Sequence, residues 1–206
     1  MKFSALSLSL LASVGLAIPV RRDVAQSVYT LRLSSTNQQL DGLYLTAAEA
    51  TAADESTGST ITLSVYTSSH QGPTPPAVKF YPVANPSTKL NELHTAGDND
   101  DGSTLAVVGS NGLLDFSLLV DPHSVELPDG TTADWTSFAL QDEGASRDDG
   151  TVEYAGQDGG SSKGNWVAFP VGGAEEQWNV KWKDETAWTT SNWMPVDVVY
   201  ELVKNE

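Results

Sequence analysis

The chain contains no cysteine. That excludes a disulfide scaffold, a thiolate metal site and a cysteine nucleophile. Basic residues are scarce: 11 Lys plus Arg stand against 27 Asp plus Glu, a formal charge of −16. A nucleic-acid binder needs a cationic footprint, so no nucleic-acid partner is expected. The three histidines, His70, His94 and His123, share no zinc-ligand spacing. The one near-match to an N-glycosylation sequon, Asn85-Pro86-Ser87, is disqualified by its proline. What remains is a chain of 206 residues, 39% apolar and 18% charged. That is neither collagenous, coiled-coil nor disordered. Its length favours a single domain.

Residues 1–17 have the form of a secretory signal peptide. Lys2 supplies the positive start, Leu6 to Leu16 the apolar stretch, and Ser13 to Ala17 a small-residue cleavage site. The run is too short and too rich in serine to span a bilayer, which needs about 20 apolar residues. No membrane insertion is expected. Arg21-Arg22 then resembles a dibasic processing site, which would make residues 18–22 a pro-segment and 23–206 the single domain; the alternative is two solvated arginines. Removing Lys2, Arg21 and Arg22 leaves eight basic residues against 27 acids, a charge of −19. Such a surface repels anionic lipid and nucleic acid. The expected destination is extracellular. Without disulfides, stability there must come from packing.

Period-two alternation broken by turn residues dominates the rest. Eleven short strands are predicted, at 28–33, 43–46, 61–66, 78–81, 105–108, 114–120, 135–140, 151–154, 166–169, 178–182 and 196–203. Pro82 is expected to end the fourth. Asn111-Gly112 is a hairpin signal. Thr46-Ala47-Ala48-Glu49 has capping-box spacing and opens an Ala-rich stretch to Ala53, read as one or two helical turns or simply a loop. The fold class is therefore all-β, one compact domain, either a Greek-key sandwich or a β-trefoil-like barrel. No strict repeat is present, but the regions of Tyr29, Tyr44, Tyr66 and Phe80 have the cadence of one trefoil lobe.

Candidate chemistry is sparse. Gly160-Ser161-Ser162-Lys163-Gly164 fits the esterase pattern by letter, yet glycines precede it, a β-like run follows, and no histidine comes after Ser162. Gly97 to Gly102 fails as a calcium loop, because Gly97 and Val108 occupy positions that require carboxylates. Asp98 to Asp101 is expected to be a loop tip. Adjacent Glu175 and Glu176 would diverge in a strand or face solvent in a turn, and make no glycosidase pair. Neither catalytic residues, a metal site nor a cofactor is predicted.

Tryptophan is the unusual feature. Five of six fall within the 28 residues from Trp166 to Trp193. Strand geometry puts Trp178, Val180 and Trp182 on one face, expected to be core, and Asn179, Lys181 and Lys183 on the other. Trp188 and Trp193 lie in a polar stretch, Thr186 to Asn192, that reads as a loop. Aromatics exposed on loops stack on sugars or anchor interfaces. Trp188 and Trp193 are therefore the candidate ligand-binding residues, with Asp184 nearby to orient a polar ligand.

Tyr29-Thr30-Leu31-Arg32-Leu33, then Asp41-Gly42-Leu43-Tyr44-Leu45, the leader and the Trp-rich final third together resemble a group of small fungal secreted proteins, some described as IgE-binding antigens. The chain departs from that group in lacking a cysteine between Trp188 and Pro195. The resemblance implies an extracellular or wall-associated β-protein without established catalysis, and carries over no functional residue. The expected partner is a glycan or cell-wall component, or a host protein. A secreted hydrolase without a recognisable motif and a ligand-free wall component are the alternatives.

Overall fold

The computed structural model describes residues 26–47, 60–97, 102–142, 148–156, 163–173 and 176–204. The leader, the dibasic site, Asp98 to Asp101 and Gly160 to Ser162 lie outside the described residues. Fourteen strands are seen among those described: β1 (Tyr29–Ser34), β2 (Thr46–Ala47), β3 (Thr60–Tyr66), β4 (Lys79–Ala84), β5 (Asn91–Thr95), β6 (Thr104–Ser110), β7 (Leu113–Leu119), β8 (Thr132–Asp134), β9 (Phe138–Asp142), β10 (Asp149–Tyr154), β11 (Gly164–Pro170), β12 (Gln177–Asp184), β13 (Met194–Pro195) and β14 (Asp197–Leu202). The all-β reading holds. The eleven predicted strands all have counterparts, and β5, β8 and β13 are additional.

The pairing has threefold logic. Six strands close a ring in the order β1, β4, β5, β9, β10, β14 and back to β1. Its narrowest seam is β5 on β9, where Asn91 faces Phe138 and donates from Nδ2 to the Phe138 carbonyl at 3.2 Å. The remaining hairpins, β2/β3, β6/β7 and β11/β12, meet in a triangle: β3 pairs with β7, β7 with β12, and β12 with β3. Each lobe thus runs ring strand, hairpin, ring strand. This is the β-trefoil arrangement, the barrel alternative rather than the open sandwich. The extra strands β8 and β13 are equivalent pieces of successive lobes. Each lies on the first hairpin strand of its lobe, β8 on β6 and β13 on β11. In the first lobe the same place is marked by the bridge Thr46 to Ala77.

Two local expectations are corrected. Pro82 does not end its strand, because β4 runs on to Ala84. The bonds Asn85 N–H to Leu90 O and Ala96 N–H to Lys79 O place the hydrogen-bonded positions at odd residues of β4. Pro82 therefore turns its missing N–H away from β5, on a side where β1 pairs only as far as Phe80. That is the edge position where proline is tolerated. Thr46 does not cap a helix. It is buried in β2, and its hydroxyl donates to the Ser64 carbonyl at 3.1 Å. The rest of that Ala-rich stretch lies outside the described residues.

Inside the barrel, five aromatic rings form a closed circuit. Centroids are 4.8 Å apart for Phe116–Trp166, 5.2 Å for Trp166–Trp182, 5.6 Å for Trp182–Tyr154, 6.1 Å for Tyr154–Phe138 and 5.8 Å for Phe138–Phe116. Tilted and edge-on contacts dominate, as the ring quadrupoles prefer. The polar handles of two members are satisfied: Trp166 Nε1 donates to the Val152 carbonyl at 2.6 Å, and the Tyr154 hydroxyl to Asp134 at 3.0 Å. Leu31, Leu33, Leu45, Leu63 and Val65 complete the core from the first lobe. A satellite cluster lies on the other face of β6, where Ala106, Val108 and Leu119 are packed by Val125, Leu127 and Trp135.

The Asn-Gly signal is confirmed in detail. Asn111 and Gly112 have φ of 53° and 73°, as a two-residue type I′ hairpin requires. A Cβ on Gly112 would also sit 2.0 Å from Asp184 Oδ1. Gly112→Ala is therefore expected to lower stability by about 2 kcal/mol, read as a melting-temperature drop of about 4–8 °C. A second prediction concerns Tyr200 in β14. Burial, and then the hydrogen bond it donates to Asp142 at 2.6 Å, hold its hydroxyl far above its ordinary pKa. The neutral form is thus favoured in the fold. Its contribution is complete below the unfolded value of about 10 and declines as pH rises above it. Denaturant titrations from pH 8 to 11 should show stability falling in the wild type and falling less steeply in Tyr200→Phe.

Candidate binding site on the third lobe

The β11/β12 hairpin sets the site. On β12 burial alternates residue by residue, with Trp178, Val180 and Trp182 inside, as expected. Pairing places Trp166 opposite Trp182 on the core side. It therefore puts Asn165, Val167 and Phe169 of β11, with Asn179, Lys181 and Lys183 of β12, on the outer face. Strand β13 lies along the other edge of β11, with Pro195 opposite Val167. Continuing that register brings Trp193 beside Phe169.

Two clefts open on this outer face. The first, about 810 Å³, is lined by Lys163, Asn165, Val167, Lys183, Trp193 and Asp197 among others. The second, about 920 Å³, includes Phe169, Val171, Asn179, Lys181, Trp193 and Met194. Trp193 borders both. It is 40% exposed, and the Lys183 ammonium sits 5.8 Å from its ring centroid. Lys181 is tied down by Asp115 at 2.7 Å and lies over the Phe169 ring.

The three residues singled out from the sequence have different fates. Trp193 is the wall shared by the two clefts. Trp188 protrudes, 86% exposed, and lines neither. Asp184 borders the first cleft, but its Oδ1 is engaged by the Thr186 amide, the Thr186 hydroxyl and the Ala187 amide at 2.8, 2.7 and 3.1 Å. Its amide also donates to the Gly112 carbonyl. Asp184 thus shapes the turn that launches the tryptophan loop. Partial burial works against its charge, but these hydrogen bonds and nearby Lys183 outweigh that and hold its carboxyl below the ordinary range. Lys163, Asn165 and Asp197, which were not singled out, join the lining.

The histidines are dispersed. His70 packs on Tyr66 with centroids 4.5 Å apart, His94 stacks on Tyr81 and contacts Glu92 at 3.0 Å, and His123 meets Trp135 edge-on. Among the described residues, no group of three His, Asp or Glu side chains is placed to hold a metal ion. Gly164, the last letter of the esterase-like pattern, opens β11, and a Cβ there would approach Trp182 Nε1 to 2.5 Å. Glu176 is exposed, and its carbonyl accepts from Thr67. Glu175 lies outside the described residues. Comparison with protein families, with curated proteins and with solved structures finds no match to this chain.

Asp184→Ala should cost about 1–2 kcal/mol through the lost turn acceptor, whereas Asp184→Asn, which keeps an acceptor oxygen, should recover most of it. Because the charged form is favoured in the fold, the wild-type contribution is present above about pH 4 and is lost as pH falls through the lowered value. Denaturation midpoints of the three proteins at pH 7 and pH 3 check this. The gap between wild type and Asp184→Asn should shrink at pH 3.

Proposed function

We propose that this protein is a secreted, non-enzymatic β-domain of fungal origin, acting at the cell surface, that binds a glycan through the outer face of its third lobe. Trp193 carries the reading. A half-exposed indole stands between two concave surfaces with amide, ammonium, carboxylate and hydroxyl groups at hand. A sugar ring asks for that combination, a flat apolar platform with hydrogen-bonding groups around it. The contrast with the second lobe supports it. There the segment before β8 folds Val125 and Leu127 down onto the satellite cluster, whereas the segment before β13 holds Trp188 and Trp193 out. An indole kept at the surface forgoes burial worth roughly 2–3 kcal/mol, which a ligand would recover.

The leader-like start and the anionic surface support export and solubility. The resemblance to fungal secreted antigens agrees with this location, and IgE recognition would describe a host response rather than a chemistry. The hydrolase alternative requires carboxylates converging across a cleft.

Glycan-array screening followed by tryptophan-fluorescence titration tests the proposal. Trp193→Ala should weaken binding at least ten-fold, equivalent to about 1.4 kcal/mol, with little change in melting temperature. Trp188→Ala should have a smaller effect. Silence across wall polysaccharides would leave the ligand-free wall component, and release of reducing sugar would indicate the hydrolase.

A further inference from the structure

Building on that reading, we infer that the two clefts form one continuous track, and that the ligand is a linear, uncharged oligosaccharide lying along β11 across Trp193, rather than a single terminal sugar. The outer-face side chains of one strand run beneath both clefts, with Val167 and Phe169 buried in their floor. Asn165 and Val167 belong to the first, and Phe169 to the second. Lys163 begins the series and Val171, in the 3₁₀ turn Val171–Gly173, ends it. Seven strand residues span about 20 Å, several sugar rings long. β12 and β13 flank the track on either side. Trp193 stands between its halves as a central stacking platform.

Both halves of the track combine apolar and polar side chains. The end near Lys163 offers Asn165, Lys183 and Asp197, all able to meet hydroxyl groups. The far end sets exposed Val171 and Met194 beside Asn179, Lys181, Ser191 and Asn192, so that it too can meet both the face and the hydroxyl groups of a sugar. Charge selects against acidic chains. Along the whole track Lys163, Lys181 and Lys183 are matched by Asp184, Glu185 and Asp197, Lys181 is also paired with Asp115, and the molecule carries a formal charge of −16. An anionic polymer would be repelled on approach. A neutral polymer pays no such cost and gains one set of contacts per added unit until the track is full.

Calorimetric titration of the full secreted protein with β-1,3-glucan and chitin oligosaccharides, from the disaccharide to the hexasaccharide, tests this. Affinity should rise at least ten-fold from dimer to pentamer in one series and then level off. Trp193→Ala should weaken binding at least ten-fold at every length, with Trp193→Phe retaining part of the affinity. Lys163→Ala and Val171→Ser, at opposite ends, should weaken the pentamer several-fold and leave the dimer unchanged. Equal affinity for dimer and hexamer overturns the track while the glycan reading stands. So does preference for a uronate or sulfated chain over both neutral series. Silence of every glycan, with Trp193→Ala losing capture of a protein instead, overturns both.

Discussion

The circuit of five aromatic rings is the constraint around which the barrel closes. Its members come from β7, β9, β10, β11 and β12, so no one lobe can build it. Edge-on and tilted contacts hold each ring to two others, and the Trp166 and Tyr154 hydrogen bonds fix orientation as well as position. A protein without disulfides needs this kind of mutual bracing, because close packing is its means of selecting one arrangement. The first lobe adds leucines, valines and the fully buried Phe80 to fill the remaining space.

Once Trp166, Trp178 and Trp182 are committed inward, the alternation of β11 and β12 leaves the opposite face free for polar and binding groups. Gly112 and Asp184 tie the tip of the neighbouring hairpin to the end of β12, and the loop bearing Trp188 and Trp193 departs from that junction. The geometry of the candidate site is thus set from the core side of the hairpin.

Much of this architecture was legible in the sequence where burial is one-sided. β12 reads as core and surface in strict alternation, and the Asn111-Gly112 turn follows from backbone sterics alone. The strands that were missed have little to alternate. β5 carries one buried apolar residue, Leu93; β8 is Thr-Ala-Asp with its aspartate buried; β13 is two exposed residues. They exist because the lobe repeats, and a repeat of path rather than of residues leaves only a cadence. The capping pattern at Thr46 was overridden by a tertiary hydrogen bond to Ser64. At the site, the exposure of Trp188 and Trp193 could be inferred from their polar neighbours. Their separation into a wall and a protrusion could not, because it depends on which residues of β11 face β13.

The pairing of β1 with β14, six residues against six, has a consequence for biogenesis. β1 meets β4 over two residues, but its main partner is β14, far along the chain, and β14 also pairs with β10. The ring cannot shut while the ribosome still holds residues 197–202. Closure of the ring therefore rests on a pairing between strands far apart in sequence, the kind of contact that forms slowly.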